Sequence, residues 1–202
     1  MICKSSLADQ FLFETSKIDI LEEGNLIIAE EGKVKSIDED LVIDAKKFEY
    51  IKDKKIMKAF DGIAYFKSNN LKIKFGEIIS NQLTQITTAK NNVEIFDLVE
   101  ELSIQTELVN LNKKENFLES PTASIIEDKI DNVLKTSNFN YNLNNHILKL
   151  QNAELKDVNN NKFNIEIAFL NTDTNELIGK DILINLNNES FDKDNEPRIR
   201  GR

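Results

Sequence analysis

The chain has 202 residues, 40% of them apolar and 30% charged, and carries a net charge of −9. That acidity argues against nucleic acid as a partner, because phosphate backbones are bound by clustered Lys and Arg. Cys3 is the only cysteine, which excludes an intramolecular disulfide and a cysteine-built metal site, and no apolar run reaches the ~18 residues of a membrane-spanning helix.

Residues 1–10 read as a polar tail or the remnant of a signal peptide. Ser6-Leu7-Ala8 before Asp9 has the small-x-small form of a processing site, but no charged and apolar regions precede it. From Phe11 the sequence nearly repeats itself. Phe11, Leu41, Leu71, Leu102, Asn132 and Phe163 open six units, at steps of 30, 30, 31, 30 and 31 residues. A unit this short cannot close a core alone and must stack on its neighbours.

Each unit has two arms. In the first unit Phe11, Phe13, Thr15, Ile18 and Ile20 alternate with polar residues. The second repeats this with Leu41, Ile43, Ala45, Phe48 and Tyr50, and the sixth with Phe163, Ile165, Ile167 and Leu170. Period-two alternation predicts strands with one apolar face. The step of three, from Ala45 to Phe48, recurs at the same place in every unit and predicts a bulge or bend. Polar turns follow, such as Lys52–Lys55, Asn112–Asn116 and Thr172–Asn175. The second arms alternate again, with Ile56, Ala59, Ile63 and Tyr65, or Ile86, Ala89, Val93 and Ile95. They are kinked near Asp61-Gly62 and Asn91-Asn92. The window from Ile95 to Leu111 has some amphipathic helical character, which its alignment with β units outweighs. Pro121 and Pro197 lie in a turn-like stretch and in the tail, as strands require. The expected fold is all-β, with twelve strands in a meander. Two facing antiparallel sheets of six strands would run roughly 25 to 30 Å along the stacking axis, each arm reaching roughly 30 Å.

Catalytic chemistry is hard to place. His146, the only histidine, falls in a polar turn and reads as an exposed turn residue. Asp38-Glu39-Asp40 and the other acidic runs read as solvated faces, without the spacing of a calcium loop. No phosphate-cradling glycine motif is present. The chain therefore reads as a non-enzyme with no metal and no cofactor. The apolar stripe is either an ordinary core or the lining of a slot for acyl chains. The slot would be lined by Ile43, Phe48, Ile73, Ile78, Val93, Ile104, Val109 and Phe139. Each methylene buried there is worth about 0.8 kcal/mol.

The pattern Leu41-Val42-Ile43-Asp44-Ala45-Lys46-Lys47-Phe48-Glu49-Tyr50, with Thr88-Ala89-Lys90-Asn91-Asn92-Val93-Glu94-Ile95, resembles the OstA-like domain of the lipopolysaccharide-transport proteins. The ending Asp194-Asn195-Glu196-Pro197-Arg198-Ile199-Arg200-Gly201-Arg202 is similar to the junction where the periplasmic domain of outer-membrane lipopolysaccharide-assembly proteins (the LptD family) meets its barrel. The resemblance implies an elongated β-jellyroll, or β-taco, over residues 11–188, and a junction segment over 189–202 leading to a barrel that this sequence lacks. It implies a periplasmic module, at the periplasmic face of the outer membrane, that accommodates lipid A acyl chains and passes lipopolysaccharide onward. Its partners would be lipopolysaccharide, a periplasmic bridge protein of the same fold paired through the edge strands Phe11–Ile20 and Ile182–Leu186, and the barrel's outer-membrane lipoprotein. Units five and six depart from the pattern, with Asn132 in place of Leu and Thr172 where Tyr50 sits in the second unit. Two readings compete with the lipid slot. One is a structural β-solenoid that polymerises or docks through its sheet edges. The other is a carbohydrate-active jellyroll, disfavoured by the absence of tryptophan.

Overall fold

Alternating sequences become long antiparallel strands, and the computed structural model describes residues 11–37 and 40–187 of the chain. Among them run β1 (Phe11–Leu21), β2 (Leu26–Ser36), β3 (Leu41–Ile51), β4 (Ile56–Phe66), β5 (Leu71–Asn81), β6 (Ile86–Asp97) and β7 (Leu102–Asn112). Four short strands follow: β8 (Phe117–Ser120), β9 (Ser124–Glu127), β10 (Val133–Thr136) and β11 (Asn138–Asn142). The described strands end with β12 (Ile147–Lys156), β13 (Lys162–Asn171) and β14 (Glu176–Asn185). A 3₁₀ turn, Glu22–Gly24, joins β1 to β2. All the strands belong to one antiparallel sheet. Cys3, the processing-site residues Ser6–Asp9, Asp38, Glu39 and the Asp194–Arg202 ending lie outside the described residues.

The expected bend is present on strand after strand. Thr15 pairs with Gly32 and Lys17 with Glu30, passing over Ser16 and Glu31. Lys46 and Asp61 are passed over between β3 and β4, and Glu166 and Asp181 between β13 and β14. On the even-numbered strands of the first units the bend residue takes a left-handed backbone, with φ of 43° at Glu31, 51° at Asp61 and 66° at Asn91. Asn and Asp tolerate this conformation by bonding locally. Burial alternates on both sides of a bend that is itself exposed, as in the run from Leu41 to Ile51.

The sheet therefore folds along this line, and each strand gives one half to each of two facing walls. The all-β fold with two facing antiparallel walls is as expected, but the walls are the halves of one folded sheet and not two separate sheets of six strands. The twelve arms are all there, ten as continuous strands and two broken at the bend: β8/β9 at Pro121–Ala123, and β10/β11 at Ser137. Because every arm serves both walls, each wall has twelve half-strands. It runs about 50 Å along the stacking axis and is only about 17 Å deep.

The bend also resets which residues face inward. In β4, Ala64 and Phe66 are fully buried while Tyr65 is 38% exposed. Ile63 and Tyr65, expected in the apolar stripe, thus face out. In β13, Ala168 is buried and Ile167 pairs outward with Lys180, against the expected inward Ile167. Passing over one residue on each strand shifts the alternation by one, and every side chain beyond it changes face. Ile95 to Leu111 forms parts of β6 and β7 with no helical turn. Among the described residues, β1 pairs only with β2 and β14 only with β13, so both ends of the sheet are edges.

Candidate functional site: the apolar interior and its seam

The eight slot residues converge on one interior. Ile43, Ile73, Val93 and Ile104 line one wall; Phe48, Ile78, Val109 and Phe139 line the other. All belong to one continuous apolar cluster and none is more than 2% exposed. Their partners on the even strands, among them Ala59 and Ala89 of the alternating second arms, were left out of the expected slot. Phe48 sits between Ala29 and Ala59 in register, and Ile78 between Ala59 and Ala89. Large side chains on odd strands thus alternate with alanines on even ones, and the wall interdigitates without crowding. A run of alanines at one phase of the second arms was the signal available.

The interior is mostly apolar at both walls in the first units, with Thr15, Ser36, Ser80 and Thr87 buried near its margins, and its hydroxyls cluster where the strands break. Thr106 Oγ1 lies 2.8 Å from Ser120 Oγ and 2.9 Å from Thr122 Oγ1, and Ser124 Oγ donates to it at 3.0 Å. These buried hydroxyls satisfy one another, which removes most of the cost of placing them inside. Surface grooves of about 580 and 600 Å³ flank the break and reach down to Phe139 on one side and to Val93 and Thr106 on the other.

Opposite the bend, the turns that cap the two walls face each other and are joined. Lys113 Nζ lies 2.6 Å from Asp40 Oδ2. Asn69 Nδ2 donates to Asn116 Oδ1 at 3.4 Å. Tyr141 donates its hydroxyl to Asp97 Oδ2 at 3.1 Å, and His146 Nδ1 lies 3.1 Å from Glu100 Oε1. His146 is in a turn, as expected, but its ring leans into the seam and its side chain is only 30% exposed. Asp40 likewise departs from the expected solvated run.

The turns themselves hold these groups in place. Asp97 Oδ1 accepts the backbone N–H groups of Val99 and Glu100, which leaves Oδ2 free for Tyr141. Asn112 and Asn142 cap the facing turns in the same way. Burial pushes the Tyr141 phenol well above its ordinary value, with Thr172 opposing and Asp97 adding to the rise, so the hydroxyl stays a donor at neutral pH.

At Asp40, burial pushes the carboxyl up. The hydrogen bonds from Lys113 and Ser68 outweigh it and hold the group below its ordinary value. A carboxyl depressed in the folded state stabilises it above the unfolded value and loses that contribution as pH falls through the folded one. Wild type should therefore lose more thermal stability than Asp40→Asn between about pH 5 and pH 3. Equal losses in a pair of melting curves would remove the ion pair from the seam's energetics.

No protein-family model matches the chain, and no curated protein matches it.

Proposed function

We propose that the chain is a lipid-binding transport module. Acyl chains of lipopolysaccharide would lie between the two walls and move along them, without catalysis, on the way to the outer membrane. The carrying observation is the interior itself: one apolar cluster that runs from β1 to β13, about 50 Å by strand spacing, with buried hydroxyls set into it. A ligand held by apolar contact alone can slide, because no single position holds it uniquely. The likeness of the repeat to the OstA-like domain supports the same reading, as well as a periplasmic setting and pairing with a bridge protein and the barrel's lipoprotein.

A diazirine-bearing aliphatic residue at Ile73, facing inward, should crosslink to purified lipopolysaccharide on illumination. The same residue at Ile79, on the outer face of the same strand, should not. Equal labelling at both positions, or none at Ile73 in a folded protein, would sink the proposal.

The structural-solenoid reading retains one observation. Ile178 is 71% and Leu183 61% exposed on β14, an unpaired edge among the described residues. Such an edge invites strand addition.

A further inference from the structure

We propose that acyl chains enter this interior sideways, through the seam between the turns at 98–101 and 143–146. The inference rests on the lipid-binding reading and adds where the wall opens. Three observations coincide in these layers. The first is the chemistry of the contacts there. Tyr141 is fully buried and Asp97 is 6% exposed, so the Tyr141–Asp97 bond is a polar tie made at the rim of an apolar interior. Glu100, with a side chain 8% exposed, lies beside it with Oε1 3.1 Å from His146 Nδ1. Parting the lips re-solvates these groups, so the tie can break without leaving a buried polar atom unpaired.

The second is what stands beside the tie. Leu98 and Val99 are 59% and 58% exposed in the turn that carries Glu100. An acyl chain approaching the seam meets two apolar side chains before it meets a polar one.

The third is on the opposite side of the same layers. The arms that carry Tyr141 and its neighbour are the two that are interrupted at the bend, at Ser137 and at Pro121–Ala123. Elsewhere a continuous strand backbone links the two walls across the fold. Here the half-strands pair with one another only within a wall, β8 with β11 and β9 with β10, while the continuous β7 and β12 on either side pair with both halves. Proline at the break removes a donor and restricts rotation to a turn-compatible conformation. The ladder between these two arms is interrupted at the bend over Pro121–Ala123, so the fold line is least braced here, between the continuous β7 and β12.

The test uses the whole chain with Cys3→Ser, carrying Glu100→Cys and His146→Cys joined by a disulfide or a short bismaleimide. The readout is the rate at which a fluorescent dodecanoyl probe is taken up. The bridged protein should take up the probe at least about tenfold more slowly than the same protein after reduction or before bridging, since opening then has to find another route. Tyr141→Phe, which keeps the ring and loses the tie, should take it up faster by about tenfold, the equivalent of one hydrogen bond to a charged group. Uptake at equal rates in bridged and unbridged protein, with wild type binding the probe, would overturn the lateral entry and leave lipid binding standing. A folded wild type that does not bind the probe at all would overturn the lipid reading and this inference with it.

Discussion

Phe48→Ala should cost about 3 to 5 kcal/mol of folding stability, the largest loss expected from a single truncation in this chain. Phe48 is fully buried in the middle of β3, and its register neighbours on both sides are Ala29 and Ala59. Neither alanine can extend into the space the ring leaves. Both are held by strands whose backbones are bonded on either side, so the wall cannot close by moving one residue. Truncation costs scale with the cavity that remains, which places this site at the upper end of the range. Leu111→Ala in the same wall removes less volume and should cost less, about 2 to 4 kcal/mol. Urea unfolding of the two variants, with slopes compared to wild type, measures both. A loss under about 1.5 kcal/mol at Phe48, with unchanged slope, would mean that the walls already approach closely enough to fill the site. The same cavity bears on function. A hole bounded by alanines in mid-wall is a place where an acyl chain could rest, so probe affinity should rise as stability falls.

The strands and the bend were legible in the sequence because both are local patterns. Leu41, Ile43 and Ala45 alternate, and the step of three to Phe48 marks the fold line; each signal lies within ten residues on one strand. The phase beyond the bend was less legible. Asp61 and Gly62 announce a kink, but which of them is left out of the register decides whether Ile63 or Ala64 faces inward. That depends on the neighbouring strands, where Lys46 and Gly76 are passed over opposite Asp61. The folding of one sheet into two walls came only with the resemblance to a β-taco and not from any local pattern. A bulge is compatible with a flat strand or a folded one, and only the facing turns distinguish them. Those turns explain why the seam was missed. Asp97 and Tyr141 are 44 residues apart, and His146 and Asp40 sit in polar runs whose composition matches ordinary solvated turns. Nothing local separates a polar residue that faces water from one that faces another turn across a closed rim.

Gly62→Val should destabilise the fold by about 3 kcal/mol, an overpacking cost set by backbone rather than by side chains. A Cβ at Gly62 would lie 2.3 Å from the carbonyl oxygen of Asp44 and 2.5 Å from the Ala45 Cβ. Gly32, one unit earlier, is in the same position, with 2.2 Å to the carbonyl oxygen of Glu14. At the fold line each of these two strands lies over the strand before it, and no side chain fits between. Carbonyl oxygens in a ladder cannot swing aside as a flexible side chain can. The substitution must therefore push β3 from β4 at the bend, breaking ladder bonds that flank Ala45 and Gly62 in both walls. Lys46→Val, on the exposed adjoining position of the same bend, is the control and should change stability by no more than about 0.5 kcal/mol. Similar denaturant midpoints for the two variants would show that the bend has slack and that the fold line is set elsewhere. A large difference would place it in the backbone approach at glycine. The walls are then held at a fixed angle through the early units, and opening is left to the layers where the strands are broken.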